Sequence, residues 1–222
     1  ADVLEALGVV VELAPQGVLR CIEQAGMGFC LAPRYHPAFR FAAPSRREIG
    51  VPTVFNLLGP MANPGRVRRQ LIGVANPEVA ERMLASLRLH GSTRAWVVHG
   101  GGLDELTTTG VSSVLALDND TVRSFTVDPV QLGLAPAIPE ELVGDTPAVN
   151  AEAVRRVMGG QHGAHRNIVV LNAGAALVVA GVADSIEEGM ALAVDSIDSG
   201  RAATALDRLV SVSQAAAAEF GN

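Results

Sequence analysis

The sequence predicts an α/β fold in which a mainly parallel sheet is flanked by helices. Short apolar runs at residues 71–74 and 95–98 have the length of buried strands, and residues 77–90 between them have helical periodicity. Strands that alternate with helices are typical of a parallel sheet with helical crossovers. Hydrophobic residues make up 49% of the 222 residues and charged residues 18%, so the chain can bury a sizeable core and is not disordered.

The first part of the chain contains two predicted helices and a short strand. One amphipathic helix closes at Gly8, and a second covers residues 15–25, with Pro15 in its first turn. Residues 28–32 form an apolar run that is stopped by Pro33, and we interpret this run as a small strand.

The later elements follow from local patterns. Residues 112–117 and 122–127 flank Asn119 and Asp120, which predicts a β-hairpin. Residues 129–147 have the composition of a loop. Helices are expected to begin at about residues 150, 164, 185 and 202.

Composition narrows the class of function. The net charge of −6 argues against a nucleic-acid-binding surface, and all 17 basic residues are arginine, which excludes lysine-based catalysis within this chain. The most apolar run, residues 168–183, is interrupted by Asn172 and two glycines and is shorter than the roughly 20 residues of a membrane span, so we expect no membrane partner. Two cysteines are too few for a disulfide framework and favour a reduced, cytoplasmic location.

The segment 95–105 carries the strongest chemical signal. It is a predicted buried strand that runs into three glycines, 100–102, and then into Asp104 and Glu105. Ligands of open α/β sheets bind at the carboxyl ends of the strands, where glycine lets the backbone approach a ligand closely. Carboxylate oxygens suit Mg²⁺, whose remaining positions are taken by water and phosphate oxygens. The segment therefore indicates phosphate chemistry, and the alternative is a solvated loop.

Three other residues have two interpretations each. Arg46 could bind a substrate carboxylate with its planar guanidinium, or decorate an exposed helix together with Arg47. His99 faces a cleft or bonds to a neighbouring carbonyl group. Asn172 is an amide in an apolar helix, and it either belongs to a structural network or forms a wall of the site. The sequence contains no dinucleotide fingerprint, P-loop or nucleophile motif, so covalent catalysis is not indicated.

Taken in order, several blocks of the chain resemble the anthranilate phosphoribosyltransferase family. They include Thr53-Val54-Phe55-Asn56-Leu57-Leu58-Gly59-Pro60 and Gly102-Leu103-Asp104-Glu105. The other matching blocks are residues 1–8, 36–38, 46–50, 63–64, 98–100, 168–181 and 197–200. Together these blocks extend over almost the entire chain.

This resemblance implies a nucleoside phosphorylase/phosphoribosyltransferase-like fold and a role in tryptophan biosynthesis. The implied reaction transfers a phosphoribosyl group from phosphoribosyl pyrophosphate to anthranilate, giving phosphoribosylanthranilate and pyrophosphate, with Mg²⁺ as cofactor. Asp104 and Glu105 match the acidic pair that holds Mg²⁺, and Arg46 matches the arginine that meets the anthranilate carboxylate. Further substrate-binding positions line the path of the aromatic substrate: Ala32, Pro33 and Phe39.

The resemblance also implies that the chain is the C-terminal two-thirds of such an enzyme. The family's glycine-rich phosphate loop, its Lys-His-Gly-Asn segment and most of its small helical domain would precede Ala1. We therefore expect residues 1–222 to form an N-terminally incomplete α/β domain, with a helical segment at about 36–60 that packs against the missing domain. A homodimer through that missing domain is expected as well.

Three alternatives remain at this stage. A pyrimidine-nucleoside phosphorylase-like enzyme would share the architecture and need a phosphate site in place of an aromatic-acid site. A non-catalytic relative that binds nucleic acid would need a basic surface. The isolated chain could also be an inactive fragment of the transferase.

Overall fold

The computed structural model describes residues 1–37, 41, 48, 50, 59 and 61–221. The chain forms two compact units. The first consists of Ala1–Pro64, Gly144–Gly159 and Gly200–Asn222, and the second of Gly65–Val143 and Gly160–Ser199. The helical segment predicted at about 36–60 lies mostly outside the described residues.

Most of the described helices agree with the predicted ones, whereas α3 was not predicted. In chain order they are α1 (Asp2–Ala6), α2 (Pro15–Ala25), α3 (Ala32–Tyr35), α4 (Ala80–Leu89), α5 (Pro147–Met158), α6 (Ala164–Ala180), α7 (Ile186–Asp198) and α8 (Arg201–Phe220). Short 3₁₀ helices occupy Pro77–Val79 and Pro139–Glu141. Within the described part of the chain, no helix is both long enough and apolar enough to cross a membrane.

The first unit is built on the contact between α2 and α8. Its core combines α2 and α8 with the extended segment that joins α1 to α2, and it consists of Val9, Val11, Leu13, Val18, Cys21, Ala25, Leu209 and Ala216. The strand predicted at 28–32 is wrong. Phe29, Cys30 and Leu31 pack against this core and pair with none of the strands that the structure describes. Helix α3 begins at Ala32 because proline is well suited to a first helical turn.

The second unit contains a four-stranded sheet in the order β1 (Arg69–Gly73), β2 (Arg94–His99), β3 (Ser112–Asp118) and β4 (Thr121–Val127). The β1–β2 pair is parallel, and the other two pairs are antiparallel. The prediction of a mainly parallel sheet is therefore wrong for the described strands, which form a mixed sheet.

Connection length explains that difference. The hairpin predicted around Asn119 and Asp120 is confirmed, and two residues can join only antiparallel strands. The segment 100–111 between β2 and β3 contains no helix that could act as a crossover. The crossover expected of a parallel pair is present between β1 and β2, where it includes α4.

Helices lie on both faces of the sheet. Neighbouring residues of β2 point to opposite faces, with Val97 towards α4 and Trp96 towards α6 and α7. The C-terminal end of α6 is tied to the starts of two strands. Arg94 donates to the carbonyl oxygen of Val178 at 3.1 Å, and Arg69 donates to that of Ala180. These cationic groups bond to carbonyl oxygens in the last turn of α6 and fix the helix against the sheet.

Candidate functional site

The turn after β2 brings the chain to the acidic pair. Gly100 and Leu103 exchange two backbone hydrogen bonds, of 3.1 and 3.0 Å, across a two-residue turn. The central residues, Gly101 and Gly102, have φ angles of +58° and +96°. Glycine adopts such angles without steric cost, so the glycine run predicted to allow a sharp turn does so.

His99 secures this turn from the end of β2. Its Nδ1 donates to the carbonyl oxygen of Val74 at 2.9 Å, and its Nε2 accepts from the backbone N–H of Gly102 at 3.3 Å. These partners assign the neutral tautomer with the proton on Nδ1. The interpretation of His99 as a structural histidine bonded to a carbonyl group is confirmed.

Asp104 and Glu105 lie where the chain leaves the surface. Both residues are exposed, whereas the three that follow, Leu106, Thr107 and Thr108, are at most 1% exposed. The buried residues anchor the segment, and the two carboxylates are the last groups before it enters the interior.

The backbone that carries the acids passes directly over two glycines of the sheet. A Cβ atom on Gly73, at the end of β1, would come within 1.5 Å of the carbonyl oxygen of Asp104. A Cβ atom on Gly100 would come within 2.5 Å of the carbonyl oxygen of Glu105. Only glycine allows this approach, so the acids are held against the carboxyl ends of the parallel pair β1 and β2.

Asn172 of α6 holds the same segment from the other side. Its side-chain oxygen accepts from the backbone N–H of Leu106 at 3.0 Å, and its Nδ2 donates to the carbonyl oxygen of Leu106 at 2.8 Å. Of the two interpretations of Asn172, the structure supports membership of a hydrogen-bond network.

The acidic pair places two like charges side by side in the sequence. Partial burial of the Glu105 carboxyl group raises its pKa above the ordinary value, and the negative charge of Asp104 raises it further. Neither carboxylate has a hydrogen-bond or ion-pair partner among the described residues. Two like charges held together without a cationic neighbour are unfavourable, and a bound divalent cation would remove that cost.

The donor set fits Mg²⁺. The described residues include no group of three or more side chains that could hold a metal, so Asp104 and Glu105 can supply only part of a coordination shell. Mg²⁺ is commonly bound by one or two carboxylates together with water and substrate phosphates. The pair is therefore suited to a metal that arrives with a phosphorylated ligand.

Four residues are predicted to bind the aromatic acid, and the structure describes two of them. Ala32 and Pro33 open α3, and both are exposed. Arg46 and Phe39 lie outside the described residues. Their role in binding the substrate stays a prediction.

Two features of the site were missed by sequence reasoning. Nothing in the sequence indicates that Thr107 and Thr108 are buried, because threonine is usually exposed. The approach of Gly73 to Asp104 did have one, since a glycine at the end of an apolar strand often marks a close backbone contact.

The family described as "Glycosyl transferase family, a/b domain" matches residues 1–203. The chain belongs to this family. Anthranilate phosphoribosyltransferase from Chelativorans sp. (strain BNC1) is 48% identical over 213 residues, which are 96% of this chain and 63% of that protein. The chain thus spans less than two thirds of the length of this curated relative.

Two solved structures of proteins with the same name also match nearly all of this chain. The crystal structure of anthranilate phosphoribosyltransferase from Thermus thermophilus matches 96% of this chain with a TM-score of 0.89 and 41% identity, and the match covers 64% of that protein. The enzyme from Saccharomyces cerevisiae in complex with PRPP and Mg has a TM-score of 0.89 and 24% identity over 96% of this chain and 63% of its own. At 24% identity, the match to the Saccharomyces cerevisiae enzyme shows a shared fold only.

Proposed function

We propose that this chain is part of an anthranilate phosphoribosyltransferase, which joins the ribose carbon of phosphoribosyl pyrophosphate to the amino group of anthranilate and releases pyrophosphate. The observation that carries the proposal is the acidic pair Asp104–Glu105, exposed and unpaired among the described residues at the carboxyl end of β2. Relatives with that name are 46–50% identical to this chain over nearly its whole length.

Asp104 and Glu105 would hold Mg²⁺ in this enzyme. When bound, the ion neutralises negative charge on the departing pyrophosphate as a Lewis acid. The raised pKa of Glu105 supports this role, because the carboxylate gains more from a cation than an isolated surface glutamate would.

The rest of the chemistry requires positioning more than activation. The anthranilate amine is already nucleophilic, so the protein has to orient it towards the ribose carbon and exclude competing water. Holding two reactants in line can contribute as much as about 7–11 kcal/mol. In this proposal Arg46 pairs with the anthranilate carboxylate in a planar, two-bonded arrangement, and Ala32, Pro33 and Phe39 line the path to it.

The proposal is tested by assaying the protein that contains this sequence for phosphoribosyl transfer. Anthranilate consumption and pyrophosphate release should occur in equal amounts when phosphoribosyl pyrophosphate and Mg²⁺ are both supplied. The double variant Asp104→Asn/Glu105→Gln should lose at least about 100-fold in rate, within the range found for removal of a charge-stabilising group.

A second pair of consecutive acidic residues in the same unit provides the control. Glu140 and Glu141 are exposed, and Glu141 bonds to the backbone N–H of Ile138 through an oxygen that glutamine also has. The variant Glu140→Gln/Glu141→Gln should keep the parental rate. Equal rates for the parent and the Asp104→Asn/Glu105→Gln variant would exclude the metal role, and phosphorolysis of thymidine or uridine in place of anthranilate consumption would exclude the transferase.

A further inference from the structure

Asn172 is a half-buried amide of α6, and all its polar groups bond to backbone partners. Its Oδ1 accepts from the N–H of Leu106, and its Nδ2 donates to the carbonyl oxygens of Leu106 and Ile168, at 2.8 and 3.0 Å. Both hydrogens of the amide and its oxygen are therefore used.

Leu106 depends on this side chain. It is 0% exposed, and it lies in the irregular segment between β2 and β3, outside the strand ladder. Buried peptide groups need hydrogen-bond partners. Asn172 bonds to both the N–H and the C=O of this one residue, as a neighbouring strand would.

The bond to Leu106 acts on Glu105 through the peptide plane. The N–H of Leu106 and the carbonyl group of Glu105 belong to the same rigid peptide unit. Fixing that N–H fixes the backbone from which the Glu105 side chain projects.

The anchor is itself rigid. Asn172 lies near the middle of α6, and Arg94 ties the C-terminal end of that helix to β2 through the carbonyl oxygen of Val178. From the opposite side, Gly73 allows the backbone of Asp104 to rest on β1. The acidic pair is thus clamped between a helix and the sheet.

We propose that Asn172 is a positioning residue for the divalent cation: it sets the orientation of Asp104 and Glu105 through the backbone of Leu106 and has no contact with the metal. This inference rests on the proposed metal role of the acidic pair. It predicts that loss of the amide weakens cation binding, although no metal ligand is changed.

Two measurements on the full chain test it, with Mn²⁺ as the probe for the Mg²⁺ site. The affinity for Mn²⁺ is measured from the paramagnetic signal of the free ion, and exchange of the Leu106 amide hydrogen is followed by NMR. Asn172→Ala should weaken Mn²⁺ binding about 10-fold or more, the usual effect of removing a residue that orients metal ligands. It should also accelerate exchange of the Leu106 amide more than exchange in β2.

Control variants on α6 separate positioning from loss of stability. Val179 is 3% exposed, so Val179→Ala lowers the stability of the same helix without touching the acidic segment. The side chain of Asn167 makes no hydrogen bond among the described residues, so Asn167→Ala removes an amide without removing a contact. Both should bind Mn²⁺ like the parent. Asn172→Gln, which moves the amide by one methylene, should show a smaller loss and serves if Asn172→Ala does not fold.

The outcomes distinguish the two proposals. If Asp104→Asn/Glu105→Gln binds Mn²⁺ as the parent does, the metal role fails, and the positioning role fails with it. If that double variant loses binding while Asn172→Ala and Asn172→Gln retain parental affinity, only the positioning role is overturned. The positioning role would also be overturned if Val179→Ala, at a stability equal to that of Asn172→Ala, lost the same amount of Mn²⁺ affinity.

Discussion

Gly73 and Asp104 are in direct backbone contact: a methyl group on Gly73 would overlap the carbonyl group of Asp104, at 1.5 Å from its oxygen and 2.2 Å from its carbon. The last residue of β1 thus serves as the platform on which the acidic segment rests. This contact joins a residue without a functional group to the residue proposed to hold the metal.

Substitution of Gly73 should therefore damage both stability and the site. Overpacking typically costs about 1–3 kcal/mol, and because the neighbour is backbone we expect Gly73→Ala to lower the free energy of unfolding by at least about 3 kcal/mol. Urea denaturation measures this. Gly110 is exposed with open space around it, so Gly110→Ala should stay within about 0.5 kcal/mol of the parent. A similar small effect for Gly73→Ala would show that the contact is relaxed in solution.

The pH dependence of stability should reveal the cost of the acidic pair. Burial and the charge of Asp104 raise the pKa of Glu105 in the folded state, so its ionisation opposes folding, and the parent loses stability as pH rises through that pKa. Without a divalent cation, Glu105→Gln should melt above the parent at pH 7. The gain should vanish below about pH 4, where the unfolded glutamate is also protonated. A variant that melts below the parent at pH 7 would contradict this.

Neighbouring threonines should respond in opposite directions to the same substitution. The hydroxyl of Thr108 is buried without a hydrogen-bond partner among the described residues, whereas that of Thr107 accepts from the N–H of Thr109 at 3.1 Å and bonds to its hydroxyl. We expect Thr108→Val to raise the free energy of unfolding by about 1 kcal/mol and Thr107→Val to lower it by about 1–2 kcal/mol. Calorimetric melts compare the two, and equal losses would contradict the assignment.

The ion pair between α6 and α7 should stabilise the second unit at pH values above the pKa of an ordinary aspartate. Arg166 donates two hydrogen bonds to Asp198, at 2.7 and 2.9 Å, and these bonds lower the pKa of Asp198. The stabilisation is present above the unfolded pKa and is lost as pH falls through the folded one. Asp198→Asn should thus melt below the parent at pH 7, with a difference that shrinks below about pH 4.

The exposed pair Arg88–Asp120 supplies the control for Asp198. Asp120 is 93% exposed in its side chain, and such surface pairs contribute little to stability. Asp120→Asn should melt close to the parent at both pH values. A constant difference between Asp198→Asn and the parent across the pH range would show that the ion pair is not the cause.

Local patterns were sufficient to predict most helices and the hairpin. The boundaries of α2 and the turn at Asn119–Asp120 follow from Pro15 and from turn chemistry. The direction of β3 relative to β2 was not predictable in the same way, because no residue in the glycine-rich segment 100–111 encodes the pairing. The prediction of a strand at 28–32 was wrong for a related reason: an apolar run can pack against a helix as well as pair with a strand.

The location of the acidic pair was predicted from its position after a strand. The contacts that hold the pair in place were not predicted. Asp104 and Glu105 follow β2 after a turn of residues 100–103, so their location needs only local information. The clamp on them comes from Gly73 and Asn172, which lie 31 and 68 residues from Asp104 along the chain, and such long-range contacts leave no periodic signal in one sequence. The partially buried, repulsive environment of Glu105 likewise arises only in the folded chain.

The central claim is that Asp104 and Glu105 hold the divalent cation that accompanies the pyrophosphate group. The direct measurement is anomalous scattering from crystals of the protein grown with Mn²⁺ and phosphoribosyl pyrophosphate. We expect a manganese peak bonded to a carboxylate oxygen of this pair and to an oxygen of the diphosphate. A diphosphate and a manganese ion bound with both carboxylates uncoordinated would contradict the account.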